Sequence, residues 1–134
     1  MTKPIQQTVR FKASTKLLYR LYMDPTLHAE ATGGKVLISS KPGSRFSAFD
    51  GELWGTMLYA LKDKLVVQRW RSSNFAMGDP DSILTLAFSN DDDGGRVDLC
   101  HVNVPEGDHA GVTQGWRDYY WTPWKTWLLG NPRR

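Results

Sequence analysis

The sequence predicts an α+β domain in which one long C-terminal helix packs across an antiparallel sheet. Three observations favour this fold. Residues 35–104 alternate polar and apolar side chains with a period of two, which is typical of strands. Two short helical patterns follow a first strand, and a much longer helical pattern closes the chain. Consecutive antiparallel strands need an apolar cover on one face, and only the closing helix is long enough to supply it.

The N-terminal segment predicts one strand and two short helices. Residues 8–12 alternate and predict the strand. Ser14 is a suitable N-cap for the first helix, because its hydroxyl can accept a hydrogen bond from a free backbone N–H group. Asp24 and Pro25 end that helix and begin a second one, which we expect to run through about residue 31 and to end at Gly33-Gly34.

A meander of about six strands follows, so the whole sheet is predicted to have about six to seven strands. Asp50-Gly51 is a strong hairpin signal, because a type I′ turn needs positive φ at both central positions. Strands 44–49 and 52–61 are therefore expected to pair on either side of it. The predicted strands are 35–40, 44–49, 52–61, 65–73, 82–89 and 96–104.

The closing helix is predicted over residues 110–129, and it carries four of the six tryptophans. On a regular α-helix its aromatic side chains spread over more than half the circumference, whereas a helix on a sheet needs an apolar stripe of only about 100°. Two interpretations remain open. The helix is fully buried in an aromatic core, or part of the arc contacts the sheet and the rest lines a cavity. Pro123 inside the helix is expected to bend its axis.

The strand alternation indicates which side chains face this helix. Leu84, Leu86 and Phe88 share one face of their strand, and Val97, Leu99 and His101 share one face of theirs. Glu52, Trp54, Thr56 and Leu58 form a third set, which we also assign to the inner face. Tyr and Trp suit a cavity wall because each carries one polar atom on an apolar ring. The candidate ligand-binding residues are Trp54, Trp70, Phe88, His101, Trp116, Tyr120 and Trp124.

Composition and charge exclude several classes of protein. The chain has 134 residues, 40% of them apolar and 23% charged, which predicts a single folded domain over residues 1–134. No apolar segment approaches the roughly 20 residues that cross a bilayer, and the first residues lack the core of a signal peptide. The single cysteine, Cys100, permits no internal disulfide. We therefore expect no membrane span and a cytoplasmic location.

Specific sites for metals, cofactors and nucleic acids are not expected. His28, His101 and His109 are far apart in the sequence and lack the pairing of a zinc site. A net charge of +3 with no basic cluster is a poor electrostatic match for nucleic acid. No nucleophile motif marks a partner for His101. The sequence thus predicts no cofactor and no metal, and it assigns no catalytic residue.

Four segments carry a resemblance to a known family. They are Ala13-Ser-Thr-Lys-Leu-Leu-Tyr19 with Asp24-Pro25, Gly43-Ser-Arg-Phe46 with Asp50-Gly51, Val67-Gln-Arg-Trp-Arg71, and Gly115-Trp-Arg-Asp-Tyr-Tyr-Trp121. Together they resemble the activator of heat-shock protein 90 ATPase homologue family, which is part of the START and Bet v 1-like (SRPBCC) superfamily. The resemblance implies the helix-grip fold, in which a curved antiparallel sheet wraps around a long C-terminal helix with a hydrophobic cavity between them.

The resemblance also bears on function. Members of the superfamily bind apolar or amphipathic small molecules. In the eukaryotic co-chaperone this module is the second of two, and the preceding domain carries much of the chaperone activation. Because the chain begins at Met1, we expect that domain to be absent here.

Three functions follow as hypotheses. The first is a stand-alone, stress-related domain that binds a small apolar or amphipathic ligand. The second is a module that interacts with heat-shock protein 90. The third is a cyclase-like or hydrolase-like enzyme using His101, Glu52 or Tyr120 as acid or base, which requires two of these groups to converge on one point of the cavity. A monomer and a homodimer both remain open.

Overall fold

The computed structural model describes residues 2–132. Residues 1, 133 and 134, which the predicted domain includes, lie outside the described residues. The strands are β1 Ile5–Phe11, β2 Arg45–Ala48, β3 Leu53–Leu61, β4 Leu65–Ser72, β5 Ser82–Asp91 and β6 Gly94–Val102. The helices are α1 Thr15–Met23, α2 Pro25–Thr32, α3 Glu106–Trp116 and α4 Thr122–Gly130, and a π-helical turn, Arg117–Trp121, joins the last two.

The strands form one antiparallel sheet in the order β1-β6-β5-β4-β3-β2. The first strand returns to pair with the last, with Ile5 opposite His101 and Phe11 opposite Gly95. The inner face of the sheet and the C-terminal helix share one continuous hydrophobic core. The α+β prediction is therefore confirmed, with two short helices after the first strand. Among residues 2–132 no helix is long and apolar enough to cross a membrane.

The two short helices begin where their capping residues predict. The Ser14 hydroxyl oxygen accepts a hydrogen bond from the Leu17 amide at 3.1 Å. Asp24 Oδ1 accepts from the amides of Thr26 and Leu27 at 2.9 and 3.2 Å, and Pro25 occupies the first turn of α2. Both helix starts are therefore at the positions that the local capping residues predict.

The predicted strand at 35–40 is wrong. Within that segment only Leu37 bridges to the sheet, through reciprocal hydrogen bonds with Ser47 at 2.9 Å. Leu37 is 57% exposed, so the side of the segment that carries Leu37 is not packed against the rest of the fold. It runs beside the edge strand β2, where alternation alone does not establish a continuous ladder.

The predicted pairing of β2 with β3 is confirmed, but the two-residue turn at Asp50-Gly51 is wrong. Ala48 pairs with Leu53, so the connection has four residues, 49–52. Positive φ begins one residue earlier than expected, at Phe49 (51°), and continues through Asp50 (56°) and Gly51 (92°). Asp50 Oδ1 accepts a hydrogen bond from the Lys35 amide at 3.0 Å, which ties the hairpin to the segment after α2.

The closing helix is longer than predicted and is not a regular α-helix. It begins at Glu106, and Thr122 N–H bonds the carbonyl of Arg117, five residues earlier. One extra residue in that turn sets back the following side chains by about 100° relative to an α-helix. This rotation brings Trp124 and Leu128 onto the same side as Trp116, and both are at most 8% exposed.

The π turn changes the interpretation of the aromatic arc. The wide arc was calculated for a continuous α-helix, whereas in the structure the π turn gathers the buried aromatic residues onto one side. The arc is therefore not evidence for a cavity. The buried residues of this helix are Val112, Trp116, Tyr120, Trp121, Trp124 and Leu128.

Candidate ligand-binding cleft

An open cleft of about 470 Å³ lies between the first half of the C-terminal helix and one end of the sheet. Its sheet side is formed by the β2–β3 hairpin and the end of β4, and its helix side by α3 and the π turn. The residues on the sheet side are Phe49, Glu52, Leu53, Trp70, Ser72, Ser73 and Asn74. The residues on the helix side are Asp108, Gly111, Val112, Gly115, Trp116, Tyr119 and Tyr120.

Aromatic rings form most of the apolar wall. Trp116 and Tyr120 lie with their ring centroids 4.7 Å apart, and Trp70 lies 6.1 Å from Trp116. Phe49 packs edge-on against Tyr119 and Tyr120 at 5.9 and 5.6 Å. The first three of these rings are almost completely buried, whereas Tyr119 is 61% exposed. The wall therefore runs from a buried base to an exposed aromatic edge.

Two helical glycines keep the cleft open on the other side. Gly111 and Gly115 are four residues apart on α3 and line the cleft one turn from each other. A Cβ atom at Gly115 would meet the Tyr119 ring at 3.6 Å, an ordinary contact, so no neighbouring atom forbids a side chain there. Glycine within a helix is less stable than alanine by roughly 0.5–1 kcal/mol. Both positions lack a side chain on the helix side of the cleft, and Gly115 has room for one.

Two carboxylates lie at the rim. Asp108 Oδ2 accepts a hydrogen bond from the Ser72 hydroxyl at 2.9 Å, and Glu52 Oε2 accepts from the Ser73 hydroxyl at 2.5 Å. Asp108 is partly buried and Glu52 is exposed. Among the described residues, those that line the cleft include no lysine, arginine or histidine. The rim is therefore negatively charged.

Trp70 places a donor without a protein acceptor in the cleft wall. Its side chain is 3% exposed, and its Nε1 has no hydrogen-bond partner among residues 2–132. A buried N–H group without an acceptor costs about 1–3 kcal/mol. The Nε1 atom is itself buried, so this donor is not on the open surface of the cleft.

His101 lies behind the wall and connects its two tryptophans. Trp116 Nε1 donates to His101 Nδ1 at 3.1 Å, so the histidine proton is on Nε2, which donates to the Ser82 oxygen at 2.8 Å. The Ser82 hydroxyl in turn donates to the carbonyl of Trp70 at 2.6 Å. Burial lowers the pKa of His101 to about 3, so the ring is neutral at physiological pH. Its role is to position the wall.

A second buried histidine, His28, holds the Tyr120 hydroxyl. His28 Nδ1 donates to the Tyr22 carbonyl at 2.7 Å, and its Nε2 accepts from Tyr120 at 2.9 Å. Burial lowers the pKa of His28 to about 4 and raises the pKa of Tyr120 well above its usual value. Tyr22 extends this network by donating to Gln68 Oε1 at 2.6 Å. The Tyr120 phenol is therefore held in place by groups outside the cleft.

The structure brings three of the seven predicted site residues to the cleft. Trp70, Trp116 and Tyr120 line it, and His101 lies directly behind them. Phe88 packs against Tyr19 in the core, with ring centroids 5.7 Å apart, and it does not reach the cleft. Trp124 is completely buried against Phe11 and Trp121 and is likewise a core residue.

The assignment of Trp54 to the inner face is wrong. Trp54 is 39% exposed on the outer face, opposite Ser47 and Arg71 of the neighbouring strands. The inward side chains of this part of β3 are Leu53 and Met57, because the hairpin connection extends through Glu52. A register shift between Met57 and Tyr59 further disrupts the alternation. Because β3 carries apolar residues on both faces, alternation did not identify which face is buried.

The three acid–base candidates do not share a target. Glu52 bonds Ser73, Tyr120 bonds His28, and His101 bonds Ser82 and Trp116. Each of these three side chains is therefore hydrogen-bonded to different partners. The convergence on one point of the cavity, which the enzyme hypothesis requires, is not observed. Within residues 2–132 no group of three His, Cys, Asp or Glu side chains could hold a metal ion.

Several cleft residues were missed by the sequence analysis. Phe49 lies there because of its left-handed backbone, a conformation that a bulky residue seldom adopts and that alternation does not predict. Asp108 precedes the predicted helix start and so carried no assigned face. Gly111 and Gly115 offered the one usable signal, since two glycines one turn apart inside a helical pattern indicate a space on that face.

A family model matches most of the chain. The model described as activator of Hsp90 ATPase homolog 1-like protein matches residues 12–123. The chain belongs to this family. The Aha1-like domain is 30% identical over 125 residues to an uncharacterized protein of Schizosaccharomyces pombe, a match that covers 93% of this chain and 37% of that protein.

Two further relatives define the comparison. The human activator of 90 kDa heat shock protein ATPase homolog 1 is 27% identical over 112 residues, covering 82% of this chain and 32% of the human protein. The chain thus spans about a third of the length of these curated relatives. The crystal structure of PFC0360w, an HSP90 activator from Plasmodium falciparum, superimposes with a TM-score of 0.85 at 20% identity, covering 95% of this chain and 96% of that one. The helix-grip fold of the Aha1-like domain is thereby confirmed.

Proposed function

We propose that this Aha1-like domain binds a small apolar or amphipathic molecule in the cleft between α3 and the β2–β3 hairpin. The observation that carries the proposal is an open space of about 470 Å³ walled by aromatic rings. Ligand sites in proteins are typically clefts of about 300–1,000 Å³ with apolar walls and a few polar groups. The two glycines of α3, which line the cleft without filling it, support the same conclusion.

Filling the cleft tests this proposal. Gly115→Leu places a side chain in the space beside Tyr119, so we expect it to weaken binding of the neutral dye N-phenyl-1-naphthylamine at least tenfold in a fluorescence titration. Gly107→Leu is the matched control, because Gly107 is exposed on the same helix, lies outside the cleft and has no atom within 4 Å of a Cβ. Equal dye affinity in the two variants, or no dye binding by the unmodified domain, would contradict the proposal.

Interaction with the 90-kDa heat-shock protein is a second candidate function. Its support is the family membership and the similarity to a human and a Plasmodium protein, both of which are activators of that chaperone. A stress-related role rests on the same relatives. The chain spans about a third of the curated relatives, and for this part we propose binding to the chaperone.

A further inference from the structure

We infer that the molecule held in this cleft is a small amphipathic cation, in which a protonated amine or quaternary ammonium group is attached to an apolar body. The inference rests on the proposed ligand-binding function and adds the charge class of the ligand. It follows from the combination of carboxylates and aromatic rings around one open space.

The first step is the charge of the lining. Among the described residues that line the cleft, Glu52 and Asp108 are the only members of the Asp, Glu, Lys, Arg and His types, and both are acids. Neither belongs to the ion pairs found among residues 2–132. Their partners Ser73 and Ser72 are neutral, so hydrogen bonding orients the carboxylates without cancelling their charge. The cleft is thus locally acidic in a chain whose net charge is +3.

The second step is the position of these carboxylates. Ser72 and Ser73 are consecutive residues at the end of β4, so their Cα atoms are about 3.8 Å apart. One serine fixes Asp108 from the first turn of α3, and the other fixes Glu52 from the β2–β3 hairpin. Two acids from separate elements are thereby held in fixed positions on the lining of one cleft. A positively charged group in the cleft would be attracted by both.

The third step is the aromatic wall. The face of an aromatic ring attracts a cation within about 6 Å of its centroid, and tryptophan does so most strongly. Five rings line the space beside the two carboxylates, and they are Phe49, Trp70, Trp116, Tyr119 and Tyr120. Tyr119, which is 61% exposed, is the most accessible of these rings to such a cation. An anion would be repelled by the two carboxylates, while a neutral molecule would gain apolar contact alone. Both features of the wall therefore favour a cation with an apolar body.

Three probes of nearly the same shape test the charge class. They are trimethyl(3-phenylpropyl)ammonium, its neutral isostere in which carbon replaces the nitrogen, and 4-phenylbutyrate. We measure the competition of each with bound N-phenyl-1-naphthylamine. The ammonium probe is expected to bind at least ten times more tightly than the neutral isostere, and the carboxylate is expected to bind most weakly. The preference for the cation should decrease as salt concentration rises.

Charge-neutral variants locate the effect. Asp108→Asn and Glu52→Gln keep an oxygen that can accept from Ser72 and Ser73, and each should weaken the ammonium probe at least threefold while leaving affinity for the neutral dye unchanged. Dye binding also shows that the variant is folded. Glu106→Gln is the matched control, because Glu106 is an exposed acid in the same helical turn as Asp108 but lies outside the cleft. It should change neither affinity.

The outcomes separate the two proposals. A domain that binds the dye but binds the ammonium probe no better than the neutral isostere, or binds 4-phenylbutyrate most tightly, overturns the cation preference and leaves the ligand-binding function standing. The same holds if Asp108→Asn and Glu52→Gln have no effect on the ammonium probe. A domain that binds neither the dye nor any of the three probes overturns both proposals.

Discussion

The two buried histidines show how single residues support the cleft. His101 connects Trp116 to Ser82 and thereby to the backbone of Trp70, and His28 holds the hydroxyl of Tyr120. Each imidazole uses one nitrogen as a donor and the other as an acceptor, which only the neutral ring can do. Protonation of either ring would place two donors in a site built for one donor and one acceptor.

Folding stability should therefore depend on pH through these residues. Their pKa values are lowered from 6.5 to about 4 for His28 and about 3 for His101, so between pH 6.5 and 4 the unfolded chain binds protons that the folded chain does not. Their contribution to stability is present above pH 6.5 and is lost as pH falls. Each histidine should reduce the free energy of unfolding by about 1 kcal/mol per pH unit between pH 6 and 4.5.

Urea unfolding over this pH range measures that slope, and His28→Gln should reduce it by the share of one histidine. The glutamine side chain can still donate and accept one hydrogen bond each, which makes it the mildest replacement. NMR titration of the two ring signals in the unmodified protein provides an independent check. Titration of either ring near pH 6.5 in the folded state would show that the explanation is wrong.

At the scale of elements, the C-terminal helix shows why part of the site was unpredictable. Its position and its aromatic content could be predicted from period and composition, although it begins four residues earlier than expected, at Glu106. Its phase could not, because a π turn leaves no clear sequence pattern and changes the direction of every following side chain by about 100°. Pro123, which lacks an N–H donor, comes two residues after the end of the turn and was the one visible sign of irregularity.

The strands show the same limitation. The phases of β5 and β6 were predicted correctly because Leu84, Leu86, Val97 and Leu99 alternate with polar or smaller residues and are all at most 2% exposed. The phase of β3 was not, because Trp54 and Tyr59 put large rings on its outer face. Alternation identifies the buried face only where the opposite face is polar.

Deleting one residue of the π turn tests its role in orienting the aromatic side chains. Without Asp118, an exposed residue of the turn, the helix can become continuously α-helical while Trp116 and Trp124 keep their inward directions. We expect this deletion to cost less than about 2 kcal/mol. Deletion of Gln114 should cost more than about 4 kcal/mol, because it rotates Val112 and Trp116 apart by about 100°.

The two deletions form a matched pair for urea unfolding experiments. Both remove an exposed residue of the same helix, and both abolish the hydrogen bond from Gln114 Nε2 to Asp118 Oδ1 at 3.0 Å. A difference in stability therefore reports the helical phase. Equal losses for the two deletions would mean that the π turn does not set the packing.

At the scale of the whole molecule, most of the topology was predictable and the cleft was only partly so. The order of β2 to β6 follows from short connections between consecutive strands, whereas the pairing of β1 with β6 has no local sequence signal. The cleft instead combines the β2–β3 hairpin, the end of β4 and the first half of the C-terminal helix, which are separated in sequence. The helix side of the cleft depends on the lack of side chains at Gly111 and Gly115. The sheet side depends on the backbone conformation of Phe49. Periodicity records none of these features.

The cleft and a chaperone-binding surface need not coincide, and the Gly115→Leu variant distinguishes them. If the chain binds the 90-kDa chaperone of its own cell through the outside of the fold, a pull-down should retain the chaperone equally well with the unmodified domain and with Gly115→Leu, although the variant no longer binds the dye. Parallel loss of dye and chaperone binding would instead show that the chaperone uses the cleft. If the unmodified domain neither retains the chaperone nor changes its ATPase rate, chaperone interaction is excluded as its function, while the dye titration continues to test ligand binding independently.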